Sequence, residues 1–204
     1  MAKQPLTLNV FIHEDLSDGS RQDLYKTHFS WFTDEIQALS GRKLLVNMFT
    51  PSEAETLSGF DYKRLPAARS LDAWAEKLRN HFGHKLLQDA HTRFNKYLLL
   101  TRDNINPGTM GIAQSKGYAC ISSIRSDMVP AHEAGHMFGA THEDSEILYN
   151  GWWSETIMRD DDFSPLRSNA NRFSDKNREN IRNYLDKPIA QRAVPRPEDD
   201  GDDD

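Results

Sequence analysis

The sequence predicts an α/β domain, a sheet with helices packed against it, and three observations predict it. A strand, a helix and a strand follow one another between residues 6 and 49, which implies a parallel pair joined by a crossover helix. Lys96 to Thr101, centred on Tyr97-Leu98-Leu99-Leu100, reads as a further strand buried within the sheet. A chain of 204 residues is long enough for one domain with a real core, or for two small lobes beside a cleft.

The first strand is Leu6 to Ile12, where Leu6-Thr7-Leu8-Asn9 alternates before the run turns apolar, and Asp18-Gly19-Ser20 breaks it. From Arg21 to Leu39 the residues Tyr25, His28, Phe29, Phe32, Ile36 and Leu39 fall on one helical face, and Ser40-Gly41 ends the helix. Lys43 to Phe49 gives the second strand. Residues 51–69 read as a polar loop, with Ser70 placed to cap a helix whose stripe is Leu71, Trp74, Ala75, Leu78 and Phe82. After the strand at Lys96 comes a turn-rich excursion over 103–108. Met110 to Ala113 and Tyr118 to Ser122 then read as two short strands around Ser115-Lys116-Gly117. A helix begins near Asp127 and tolerates Pro130 in its first turn. Residues after His142 read as loop as far as Ile157-Met158. A last helix runs from Ser174 with Ile181, Tyr184 and Leu185 inward, and 188–204 is a proline-rich, then acidic tail with too little apolar surface to fold.

Composition narrows the function classes. The net charge is -6, but six of the 31 acidic residues fall in 198–204, and the other 25 match the 25 Lys and Arg. The body is therefore neutral and offers no nucleic-acid-binding surface. A single cysteine, Cys120, excludes an internal disulfide and reads as a small buried residue. No apolar run reaches membrane-spanning length. Nothing at the N-terminus reads as a signal peptide, so the expectation is a cytoplasmic protein as encoded, or one exported by a route without a signal peptide.

Residues 130–142 carry the chemistry. His132 and His136 are four apart, so on a helix both imidazoles project from one face and can grip one metal ion. Glu133 lies beside that ion without needing to ligate it, which suits a base taking a proton from a metal-activated water. Gly139 permits the positive φ that stops the helix and turns the chain, so that His142 arrives as third ligand. Three neutral imidazoles leave a fourth position open, the arrangement of a catalytic zinc rather than a structural one. His81, His84 and His91 have possible ligand spacing but no fixed companions, and read as solvated faces. Asp160-Asp161-Asp162 reads as a charged loop rather than a calcium site.

The pattern from His132 to His142 resembles the signature of the metzincin zinc peptidases at every signature position. Within that clan the chain is most similar to the reprolysin (adamalysin) group, over most of residues 6 to 186. Gly108 to Ala113, followed by Tyr118 to Ser122, looks like that group's substrate-side edge strand and the strand after it. Met158, in Thr156-Ile157-Met158, stands sixteen residues beyond His142, a spacing similar to the group's Met-turn. Arg172-Phe173-Ser174 resembles its closing segment. Glu143 departs from it, standing where the group usually has Asp. Asp160 stands where astacins and serralysins place a zinc-binding tyrosine.

The resemblance implies a twisted mixed sheet with packed helices and a zinc cleft. It also implies a catalytic domain over 1–187, with an upper lobe of about 6–139 and a smaller lower lobe of about 140–187 that ends in a helix. Met158 is expected to form an apolar floor under one catalytic Zn²⁺. A protein or peptide substrate is expected to pair with Gly111, Ile112 and Ala113, and the chain to act as a monomer. A specificity pocket is expected between the 130–142 helix and residues 149–158, with Trp152 and Trp153 as candidate lining. The expected activity is zinc-dependent endopeptidase hydrolysis with Glu133 as general base. Two alternatives stand beside it: a zinc-stabilised binding module without turnover, and a peptidase toxin or effector delivered to another cell.

Overall fold

The strand Leu6–Ile12 (β1) carries the alternation that divides the interior into two cores. Leu6, Leu8, Val10 and Ile12 enter one cluster with Leu98, Leu100 and Cys120, whereas Phe11 enters another with Tyr97, Leu99 and Ile121. Successive side chains of a strand point to opposite faces, so this sheet is covered on both. The computed structural model describes residues 3–149, 153–159 and 168–189. After β1 come α1 (Arg21–His28), α2 (Ser30–Ser40), β2 (Leu44–Phe49), α3 (Glu55–Ser58), α4 (Ala67–Phe82), α5 (Asp89–Thr92) and β3 (Asn95–Thr101). Then follow β4 (Gly111–Ala113), β5 (Ala119–Ser123), α6 (Val129–Met137), β6 (Ile147–Tyr149), β7 (Trp153–Glu155), β8 (Ser168–Asn169) and α7 (Asp175–Asp186).

Five strands form a mixed sheet in the order β2-β1-β3-β5-β4. β1 is parallel to β2 and β3, and β3 to β5, while β4 runs antiparallel to β5 at the edge. On one face α4 contributes Trp74 and Leu78; on the other lie Phe32 and Ile36 of α2, Ala131 and Met137 of α6, and Ile181 and Leu185 of α7. This is the α/β architecture the element order predicts. A second sheet, β6-β7-β8, follows α6. Among the described residues no helix is long and apolar enough to cross a membrane.

The fully buried Lys96 ties several of these pieces together. Its ammonium donates to Thr92 O at 2.8 Å, Gly117 O at 2.7 Å and the Tyr184 hydroxyl at 3.1 Å, one acceptor for each hydrogen. Burial pushes its pKa well below the usual lysine value, against the opposing pull of Asp89.

Three local expectations are corrected. The helix expected as one piece over 21–39 is two, broken at Phe29 (φ -127°, ψ -22°). Hydrogen bonding runs through the break, with Phe29 N donating to Tyr25 O and Thr33 N to Phe29 O at 2.9 Å each, so the 3.6-residue period survives it. Ser70 does not cap α4, which begins at Ala67 behind Pro66; the Ser70 hydroxyl instead donates back to Tyr62 O at 2.9 Å and Leu65 O at 3.2 Å. Residues expected as loop include α3, a single turn, and the β6–β7 pair, whose three-residue strands are too short to establish a period.

Candidate functional site

α6 packs across β4 and β5, and Pro130 sits in its first turn, where a missing N–H costs no hydrogen bond. Its end is a Schellman motif: Ala140 N donates to Gly135 O and Gly139 N to His136 O, each at 3.0 Å, with Gly139 at φ +97°. A side chain at that φ would be strained. The turn brings His142 back against the helix. The Nε2 atoms of His132 and His136 both lie 2.9 Å from that of His142.

In His132 and His136 the other ring nitrogen faces a backbone carbonyl. His132 Nδ1 faces Ile157 O at 2.8 Å, and His136 Nδ1 faces Ala140 O at 3.1 Å. A carbonyl only accepts, so a neutral ring in this position donates from Nδ1 and turns Nε2 toward the other imidazoles. A divalent cation among the three Nε2 atoms would be bound by one lone pair from each neutral imidazole. Ligands 2.0–2.1 Å from a tetrahedral zinc stand about 3.3 Å apart, close to the spacing here. Among the described residues this is the one group of three or more His, Cys, Asp or Glu side chains able to hold a metal.

Glu133 is buried on the same helix, and its side chain lies against β4. A Cβ built on Gly111 would stand 2.6 Å from both Glu133 Cγ and Oε1, so the edge strand has room for the carboxylate because residue 111 has no side chain. Gly135 meets a similar limit on another side. A Cβ there would lie 2.8 Å from Phe173 Cε1 and 3.0 Å from Met158 Sδ. Met158 is fully buried in the turn closed by Arg159 N donating to Thr156 O, next to the Ile157 carbonyl that orients His132. The sequence places His132, Glu133, His136, His142 and Met158 as candidates, and the fold brings them together. It did not single out Gly135 and Phe173, although a glycine inside a helix, which costs about 1 kcal/mol relative to alanine, signals a close approach.

Gly111, Ile112 and Ala113 are half-buried on the edge strand. Ser123 N donates to Met110 O and Gln114 N to Ala119 O, so Met110, Ile112 and Gln114 turn their backbone groups toward β5. Alternation along an antiparallel ladder then directs the N–H and C=O of Gly111 and Ala113 outward.

The remaining sequence candidates lie elsewhere. Cys120 is fully buried; burial first, then the charge of Glu133, pushes its thiol well above the usual range. His81 and His91 line a cavity of about 570 Å³ with Phe11, Phe49, Phe82 and Tyr97, on the face of the sheet opposite α6. There His91 Nε2 lies 2.9 Å from the Tyr97 hydroxyl. Trp152, Asp160, Asp161, Asp162 and residues 190–204 lie outside the described residues.

The fold is similar to the crystal structure of metalloproteinase-II from Bacteroides fragilis, with a TM-score of 0.61 at 18% identity, over 90% of this chain and 53% of that one. The chain thus spans about half the length of that protein. No family model matches the sequence, and no curated protein does.

Proposed function

We propose that the chain is a zinc-dependent endopeptidase of the metzincin type, with reprolysin-like organisation, acting on protein or peptide substrates. The observation that carries this reading is the convergence of three imidazole Nε2 atoms on the helix that also holds Glu133 against the edge strand. His132, His136 and His142 would hold one Zn²⁺, and Met158 would floor the site. When bound, the ion supplies Lewis-acid chemistry, polarising the scissile carbonyl and acidifying a water beside it.

The chain's own residues do the rest. The outward N–H and C=O of Gly111 and Ala113 pair with an extended substrate, whose main chain becomes a further strand and is fixed in register. The Glu133 carboxylate accepts the water's proton and delivers it to the departing amine nitrogen, one group serving as base and then acid. A structural zinc site has no use for a carboxylate so placed.

The test is digestion of a peptide library with and without a chelator. Cleavage at internal bonds, lost on chelation, restored by zinc and absent from His136→Ala, is the expected result. A protein that binds one zinc tightly and cleaves nothing is instead a binding module, and the enzyme reading falls.

Gly111→Ala probes the carboxylate without touching a metal ligand. The added methyl must push Glu133 aside, and displacement of a reacting group by about 1 Å costs on the order of a hundredfold in rate. The expected result is a kcat lower by about that factor with zinc affinity unchanged. Wild-type kcat in a folded Gly111→Ala protein would show that the contact does not position Glu133.

A further inference from the structure

The geometry points to Asn177 as a positioning residue for His142. This rests on the zinc reading above and concerns how the third ligand, the one that α6 does not carry, is held. His142 follows a helix stop and two further residues, and the Schellman bonds fix the backbone only as far as Ala140. Asn177, fully buried near the start of α7, takes over at the next residue. Its Oδ1 accepts from Thr141 N at 2.8 Å and its Nδ2 donates to Thr141 O at 2.9 Å. The two peptide planes flanking Thr141 are thereby set, the second being the one that leads into His142.

Only a side-chain amide offers one donor and one acceptor in this fork. The same face of α7 grips the chain beyond the ligand. The Ser174 hydroxyl donates to Asp144 O, and Asn180 Nδ2 to Asp144 Oδ2 at 2.6 Å; Thr141 Oγ1 also donates to that carboxylate at 3.3 Å. Ser174, Asn177 and Asn180 recur every three residues, so they share a helix face directed at 141–144. The His142 segment is held before and after the ligand by a helix some thirty residues downstream.

A merely structural Asn177 would dock α7 and nothing more, so the experiment separates docking from ligand placement. Asn177→Ala and Asn177→Asp are compared with Ile181→Ala, which removes a fully buried apolar side chain from α7, one that has no hydrogen-bonding atom to offer residues 141–144. The readouts are zinc affinity by chelator competition, the d–d spectrum of the cobalt-substituted protein, and Tm. Loss of a group that orients a ligand typically lowers metal affinity by about 10–100-fold, and both Asn177 variants are expected to show this with an altered cobalt spectrum. Asn177→Asp keeps the acceptor for Thr141 N but sets an oxygen against Thr141 O. Ile181→Ala is expected to lower Tm while leaving affinity and spectrum as in wild type.

The proposal is overturned if the Asn177 variants keep wild-type affinity and spectrum, or shift them no more than Ile181→Ala does. It is equally overturned if neither Asn177 variant folds, since a positioning role requires a folded chain with a poorer site. His142→Ala separates the two levels of the argument. If it loses zinc while the Asn177 variants do not, the positioning role alone fails; if wild type and His142→Ala both bind none, the zinc reading fails and takes the positioning role with it.

Discussion

Glu133→Gln is expected to lower kcat for peptide cleavage by about 10²- to 10⁴-fold, the range a general acid–base group supplies. Glutamine keeps the size of the side chain and its place beside Gly111, where a Cβ would already stand 2.6 Å from Glu133 Oε1. It cannot take up a proton at neutral pH. Zinc stoichiometry and Tm should therefore stay near wild type, since His132, His136 and His142 are untouched, and KM should change little. Steady-state kinetics beside a zinc titration checks this. Retention of more than about a tenth of wild-type kcat would remove Glu133 from the role of base, because a positioned general base typically contributes about 10²- to 10⁴-fold. Glu133→Asp refines the result: one methylene fewer draws the carboxylate back from Gly111, so an intermediate loss is expected.

What the sequence made legible was whatever is written in local period or short spacing. The strand at Leu6–Ile12 announced itself by alternation, and the crossover to Leu44–Phe49 by the order of elements. The four-residue step from His132 to His136 and the glycine at 139 foretold the helix, its stop and the return of His142. What was not legible depends on residues far apart in the chain. Asn177 meets Thr141 across 36 positions, and nothing in α7 marks it, because a buried polar residue on an amphipathic helix looks like any other until its partner is known. Phe173 and Met158 against Gly135 are contacts of the same kind. The outward backbone groups of Gly111 and Ala113 follow from the register with β5, and pairing register is a property of two strands, not of one. The break at Phe29 is not legible for the opposite reason, since hydrogen bonding across it preserves the period.

Glu35→Ala is expected to destabilise the fold by about 3 kcal/mol, from the cost of leaving buried polar groups without their partner. Glu35 is 7% exposed on α2. Its Oε1 accepts from Phe173 N and from Arg178 Nε at 2.9 Å each, and its Oε2 accepts from the Arg178 guanidinium at 2.5 Å. Breaking a buried pair by removing one partner costs about 3–5 kcal/mol. The low end applies because the Arg178 side chain is 27% exposed and can turn toward water. The Phe173 amide has no such escape. A loss of this size corresponds to a fall in Tm of roughly 6–12 °C for a domain of this length. Glu35→Gln keeps an acceptor for Phe173 N, so its loss should be smaller, about 1–2 kcal/mol. The consequence reaches the proposed active site through packing, because the Phe173 ring lies where a Cβ on Gly135 would fall, between His132 and His136 on α6. Glu35→Ala should therefore weaken zinc binding as well as lower Tm, while Glu35→Gln, which preserves the Phe173 backbone contact, should hold zinc nearly as wild type does. A Tm within about 2 °C of wild type for Glu35→Ala would mean that the pair contributes little net stability, and that Phe173 is held against α6 by its apolar contacts alone.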